Sequence, residues 1–166
     1  MLDGVAEETP LAEASADAVV AAQAFHWFDA DRALQIHRVL RPDGALGVIW
    51  NVRDEATDWS ERLTAIFDRL SGDGPRYRDM RWREAFTRAE LFGPLHHELT
   101  YHVQKVTREQ FVDRVLSVSY VASAPDDERE RVIAEVEEML DSDPELRGRD
   151  EILMPYRTEV FWCAKL

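Results

Sequence analysis

The sequence predicts an α/β protein, and three observations carry the prediction. Residues 17–25, DAVVAAQAF, form a continuous apolar run after the turn-like EASAD, the pattern of a strand buried on both faces of a parallel sheet. DADRALQIHRVL follows, with Asp29 as N-cap and Ile36, Val39 and Leu40 on one stripe, so a helix is expected until RPDG stops it. ALGVIWNV is a second buried strand. Strand, helix and strand within about thirty residues make a right-handed parallel βαβ unit.

Further along, DWSERLTAIFDRL places Trp59, Leu63, Ile66, Phe67 and Leu70 at helical spacing, with Asp58 and Glu61 resembling a capping box. SGDGP at 71–75 breaks the chain. LHHELTYHV at 95–103 alternates Leu95, His97, Leu99, Tyr101 and Val103 with His96, Glu98, Thr100 and His102, which predicts a strand with one face exposed. Thr107 and Gln110 form a second capping-box pattern ahead of a helix. Residues 126–141 predict an acidic amphipathic helix with Val132, Ile133, Val136, Met139 and Leu140 inward. TEVFWCAKL closes the chain as an apolar strand, paired antiparallel with the strand at 95–103.

Composition narrows the function classes. The chain has 166 residues, enough for one domain with a proper core, and 45% of them are hydrophobic. The formal net charge is −13, from 33 acidic and 20 basic residues. So acidic a surface repels phosphate backbones and anionic lipid, which argues against nucleic acid and membranes as partners. A single cysteine, Cys163, allows no internal disulfide, in keeping with a cytoplasmic location. No apolar run approaches the ~20 residues of a membrane span, and MLDGVAEETP has neither the basic nor the apolar segment of a signal peptide.

In an open parallel sheet, ligands bind at the carboxyl ends of the strands. Two such ends are readable, AAQAFHWFD and IWNVRD. Ala21, Ala22 and Ala24 would let a flat ligand approach the backbone closely. Phe25, Trp27 and Phe28 either cap the core around a satisfied His26, or form the rim of a site. His96 and His102 share a strand face but lie about 20 Å apart at the usual rise, too far for a common ion, so no metal site is expected. Cys163 lies in an apolar strand with nothing to lower its pKa and is no nucleophile candidate. SGDGP follows no strand and reads as an ordinary turn rather than a phosphate loop.

Taken together, GVAEETPLAEASADAVVAAQAFHWFD and HRVLRPDGALGVIWNVRD resemble the class I S-adenosylmethionine-dependent methyltransferases of the type 11 group, closest to bacterial members with AFHWF and WNVRDE signatures. The resemblance runs from about Gly4 to Asp54, and continues more faintly through SVSYVASAP and MPYRTEVFW. It implies a Rossmann-like fold, S-adenosylmethionine as cofactor and a small-molecule methyl acceptor. It places cofactor-binding positions at Val5, Ala6 and Glu7 and at the end of the fourth strand, Ala22, Gln23, Ala24 and Phe25. Trp27, Asn51 and Arg53 fall on the acceptor side, with His26 as the candidate catalytic base.

The resemblance also implies departures. None of the seven glycines follows a strand in a G-x-G pattern, and the acidic residue that holds the ribose is not matched. Met1 would fall at the end of the third strand, so the expectation is a fold lacking its first strands: a mixed half-sheet of order 4-5-7-6 with flanking helices, in one domain over 1–166. Residues 55–94 would be the variable helical insertion and 95–166 the C-terminal strands and helices. LQIHRVLRPDG is one residue shorter than the family's pattern, which rotates the preceding helical residues by ~100°. The fourth strand, 18–25, would become a bare apolar edge. Two functions follow: methyl transfer crippled by loss of the glycine-rich loop, or a non-catalytic interaction domain that forms homo-oligomers through the 18–25 edge.

Overall fold

The computed structural model describes residues 3–72, 74 and 77–166; the side chains of residues 33, 88 and 89 are outside this description, as are Met1, Leu2, Arg76 and, within SGDGP, Asp73 and Pro75. In chain order the described strands are β1 (Ala16–Ala22), β2 (Leu40–Arg53), β3 (His96–Thr107) and β4 (Glu151–Ala164). The helices are α1 (Ala30–Ala33), α2 (Ile36–Val39), α3 (Asp58–Ser71), α4 (Arg81–Ala89), α5 (Arg108–Leu116), α6 (Ser119–Ala122) and α7 (Asp126–Ser142). The strands form one sheet in the order β1-β2-β4-β3, the 4-5-7-6 arrangement expected from the resemblance. The chain divides into two compact units. One comprises Met1–Val52, Pro75–Thr100 and Thr158–Leu166, the other Arg53–Gly74 and Tyr101–Arg157.

In the first unit β1 and β2 pair in parallel, from Ala18 against Ala45 to Ala22 against Ile49. RPDG does end the helix, but it is no free loop. Leu40 already pairs with Ala16, and the register then jumps to Ala18 and Ala45, so Arg41–Gly44 bulge within β2. Gly44 is needed there, because a Cβ would meet the carbonyl oxygens of Arg41 at 2.9 Å and Asp17 at 3.1 Å. The expected single helix after Asp29 is two separate turns, α1 and α2, interrupted at Leu34 and Gln35. Asp29 does cap α1, its side chain accepting from the Arg32 N–H.

The strand expected over 17–25 ends at Ala22, and it is not buried on both faces. Among the described residues β1 pairs with β2 alone, and Val20 is 59% exposed. The core of this unit lies on the next strand instead. Leu46, Val48 and Trp50 alternate inward from β2 and pack with Phe25, Leu34, Trp82, Phe86, Phe161 and Cys163. Burial pushes the Cys163 thiol up to about 11.

The second unit is built around α3, α5 and α7. Trp59, Leu63, Ile66 and Phe67 of α3 meet Phe111 and Val115 of α5 and Val132, Val136, Met139 and Leu140 of α7. The α3 capping box is Thr57 with Ser60 rather than Asp58 with Glu61: Thr57 Oγ1 accepts from the Ser60 N–H and Ser60 Oγ from the Thr57 N–H. Asp58 and Glu61 occupy the first turn, where the positive end of the helix dipole favours them. The box at Thr107 and Gln110 forms as expected and opens α5.

β3 is the other edge of the sheet, and from His96 to Lys105 every residue is exposed, not one face only. The β3 histidines stack on β4 rings: His96 on Trp162 (4.2 Å), His97 on Phe161 (4.2 Å) and His102 on Tyr156 (5.3 Å). Partner numbers fall as the histidine numbers rise, the signature of an antiparallel pair.

Candidate functional site

The carboxyl end of β1 turns sharply rather than fading out. Gln23 takes φ of 56°, a left-handed conformation that non-glycine residues adopt only at a cost. Two hydrogen bonds hold it there: its N–H donates to Ile49 O (2.8 Å), and its Nε2 donates to Asn51 O (3.0 Å). The chain then winds into a single 3-10 turn, Phe25–Trp27, closed by the Trp27 N–H donating to Ala24 O and the Phe28 N–H to Phe25 O.

This turn sorts the aromatic cluster that the sequence left ambiguous. Phe25 goes into the core, 1% exposed, with its ring 5.5–6.3 Å from those of Phe28, Trp82 and Phe86. Trp27 goes outward and is half exposed. His26 lies between, half-buried, with its ring 4.9 Å from Trp27 and 6.2 Å from Trp50. The buried indole of Trp50 donates from Nε1 to Nδ1 of His26 across 3.1 Å. Burial holds the His26 imidazole below the usual histidine range, because desolvation disfavours its charged form.

Beside this turn, Asn51 at the end of β2 receives two hydrogen bonds. Its carbonyl accepts from Gln23, and its side-chain Oδ1 accepts from Thr158 Oγ1 (3.0 Å). Ala22 and Gln23 are exposed and Ala24 is half-exposed, so the strand end presents backbone to solvent.

The segment at 4–11 contributes a separate surface. Val5–Glu8 forms a tight turn, the Glu8 N–H donating to Val5 O (3.1 Å). Glu7 Oε1 accepts from the Asp29 N–H (2.9 Å), which ties this turn to the residues after the 3-10 turn. Gly4, Val5, Ala6, Thr9, Pro10, Leu11, Val19 and Ile36 line a cavity of about 300 Å³. That lining is apolar and contains no carboxylate.

The structure therefore gathers Val5, Ala6, Glu7, Ala22, Gln23, Ala24, His26, Trp27 and Asn51 in the first unit, and gives Phe25 a place in its core. Arg53 lies in the second unit, its guanidinium 4.2 Å from the centre of the Phe67 ring. Two partners escaped the sequence reading, Trp50 and Thr158. A buried tryptophan needs an acceptor for its N–H, so a Trp on the strand paired with β1 was the available signal for Trp50. Thr158 carried none. Among the described residues, no group of three or more His, Cys, Asp or Glu side chains could hold a metal ion. No described helix is long and apolar enough to cross a membrane.

Comparison with known proteins agrees with this architecture. A family model described as a methyltransferase domain matches residues 1–48. An uncharacterized methyltransferase-like protein of Schizosaccharomyces pombe is 35% identical over 163 residues, covering 98% of this chain and 63% of that protein. An uncharacterized methyltransferase of Mycobacterium tuberculosis is 37% identical over 156 residues, covering 93% of this chain and 61% of its own length. The chain thus spans just under two thirds of the length of these relatives. In fold, it superposes on a protein of Anaeromyxobacter dehalogenans named as a type II methyltransferase, with a TM-score of 0.59 at 24% identity over 98% of this chain and 69% of that one. The YcgJ protein of Bacillus subtilis gives a TM-score of 0.54 at 17% identity over 98% of this chain and 69% of its own. In sequence the chain is similar to these methyltransferases over nearly all of its own length, and its fold is that of Rossmann-like methyltransferases.

Proposed function

We propose that this chain carries the acceptor side and part of the cofactor side of an S-adenosylmethionine-dependent methyltransferase acting on a small molecule. The observation that supports the reading best is Gln23. A strained residue at the carboxyl end of a parallel strand, pinned by bonds to Ile49 and Asn51, is a device for shaping a ligand site.

The residues fit one end of the cofactor. The apolar cavity around Val5 and Ala6 suits a flat purine, and the exposed backbone at Ala22, Gln23 and Ala24 suits close approach of the rest. Glu7 secures the geometry of its own turn by accepting from Asp29. Phe25 supports the rim from behind, while His26, Trp27 and Asn51 face the acceptor. When bound, the cofactor supplies a sulfonium methyl whose bond to sulfur breaks, leaving its electron pair on sulfur, as the acceptor's lone pair bonds to carbon. The chain's own share of the rate is alignment. No carboxylate lines the cavity to take a ribose diol, so binding by this chain alone is weak.

Isothermal titration with S-adenosylhomocysteine tests this. The expected result is weak binding, with a dissociation constant of about 1 mM, abolished by Ala6→Trp. Micromolar affinity would overturn the crippled reading. Absence of any binding at several times that concentration would favour a second reading, an interaction domain. One observation supports that alternative: β1 is a largely apolar edge strand whose outer backbone pairs with no other strand among the described residues. It predicts a dimer by light scattering that Val20→Lys dissociates.

A further inference from the structure

The Trp50–His26 hydrogen bond decides more than the position of the imidazole. An indole N–H is only a donor. Nδ1 of His26, which receives it at 3.1 Å, must therefore be the unprotonated nitrogen. In the neutral ring the proton is then on Nε2, across the ring, and Nε2 has no partner among the described residues. We propose that Trp50 holds His26 as its Nε2–H tautomer, so that His26 meets the methyl acceptor as a hydrogen-bond donor and does not take a proton from it.

Three features of the first unit support this. Trp50 is 1% exposed and fixed by rings on several sides, Tyr77 at 4.7 Å, Trp82 at 4.6 Å and Phe161 at 6.1 Å, so its N–H cannot swing away to release Nδ1. The 3-10 turn fixes the backbone of His26 from the other strand. No described carboxylate pairs with His26 to compensate a positive charge, and burial opposes one. A ring already protonated at Nε2, whose Nδ1 lone pair is engaged, has no free lone pair with which to accept a proton.

The inference rests on the methyltransferase reading and sharpens it toward a substrate class. The acceptor presents to His26 an oxygen or nitrogen lone pair that can receive Nε2–H, and its nucleophilic atom enters the site already unprotonated, as a carboxylate, an enolate or a neutral amine nitrogen does. An alcohol that must lose its proton in the methyl-transfer step is the class this site does not serve. Trp50 is a positioning residue in this scheme, acting through His26.

The test is a histidine-selective proton–nitrogen NMR titration of the labelled chain, free of any ligand, for the wild type and Trp50→Phe. The expected wild-type spectrum shows His26 as Nε2–H alone, and Trp50→Phe both admits some Nδ1–H form and raises the His26 titration midpoint. Protonated Nδ1 in the neutral wild type would overturn the proposal, as would an unchanged tautomer and midpoint in a folded Trp50→Phe protein. Should Trp50→Phe not fold, the wild-type spectrum decides alone. If the tautomer is as expected but S-adenosylhomocysteine does not bind, it is the methyltransferase reading that falls.

Discussion

Thr158 Oγ1 donates to Asn51 Oδ1 across 3.0 Å, joining the terminal strand to the end of β2 at the residue that also receives Gln23. The amide oxygen and the backbone carbonyl of Asn51 are thus both engaged. Thr158→Val keeps the β-branched shape and deletes the donor. We expect it to cost about 1 kcal/mol in urea unfolding, the net worth of a partly buried hydrogen bond, with an unchanged m-value.

Acid should weaken the fold through His26. Its folded-state pKa lies below the ordinary value of 6.5, so the unfolded chain binds its proton first. Stability is therefore complete above about pH 6.5 and falls as pH drops from there toward the folded-state pKa, by about 1.4 kcal/mol for each unit separating the two values. Comparing the pH dependence of urea midpoints for the wild type and His26→Gln isolates this term. The variant should be flatter between pH 5 and 7, about the range in which an ordinary histidine titrates.

Cys163 should be silent in the folded chain. It is fully buried and its thiol is pushed up to about 11, so hardly any thiolate exists near neutrality. A thiol-specific chromogenic reagent at pH 8 should react only at the rate of unfolding, and promptly in denaturant. Rapid stoichiometric labelling without denaturant would show that the β4 end of the first core opens.

The helix caps of the second unit should be separable from its core. Thr57→Ala and Thr107→Ala each remove the hydroxyl that accepts from the Ser60 or Gln110 N–H while leaving the reciprocal bond from the backbone N–H, and each should cost roughly 1 kcal/mol. Phe111→Ala, at 0% exposure and edge-on to Trp59, should cost ~3–5 kcal/mol. Thermal melts of the three variants rank these terms.

The sequence pattern was most informative where burial has a period. The apolar runs of β1 and β2, the inward stripes of α3 and α7 and the Thr107–Gln110 box all announce themselves locally, because each depends on residues at most four apart. The same reasoning mistook local preferences for boundaries, as it did in ending β1 at Phe25 and in expecting one helix after Asp29, and two cases show why. RPDG is turn-forming by composition, yet pairing on both sides folds it into β2 as a bulge. Asp58 and Glu61 fit a capping box, but Thr57 and Ser60, one residue earlier, have the hydroxyls that reach.

For the candidate site, the aromatic stretch AFHWF was visible as a feature but not as an arrangement. By itself the chain determined its class and the parallel βαβ unit, because hydrophobic periodicity is a property of neighbouring residues; the strand order was implied only by the resemblance that its ordered motifs carry. Which ring of Phe25, His26 and Trp27 enters the core, and which nitrogen of His26 accepts the Trp50 N–H, depended on a backbone reversal at Gln23 and on a strand 24 residues away in the chain. Those were decided by tertiary structure alone, since only the pairing of β1 with β2 brings a buried donor to an imidazole that local sequence leaves free to point either way.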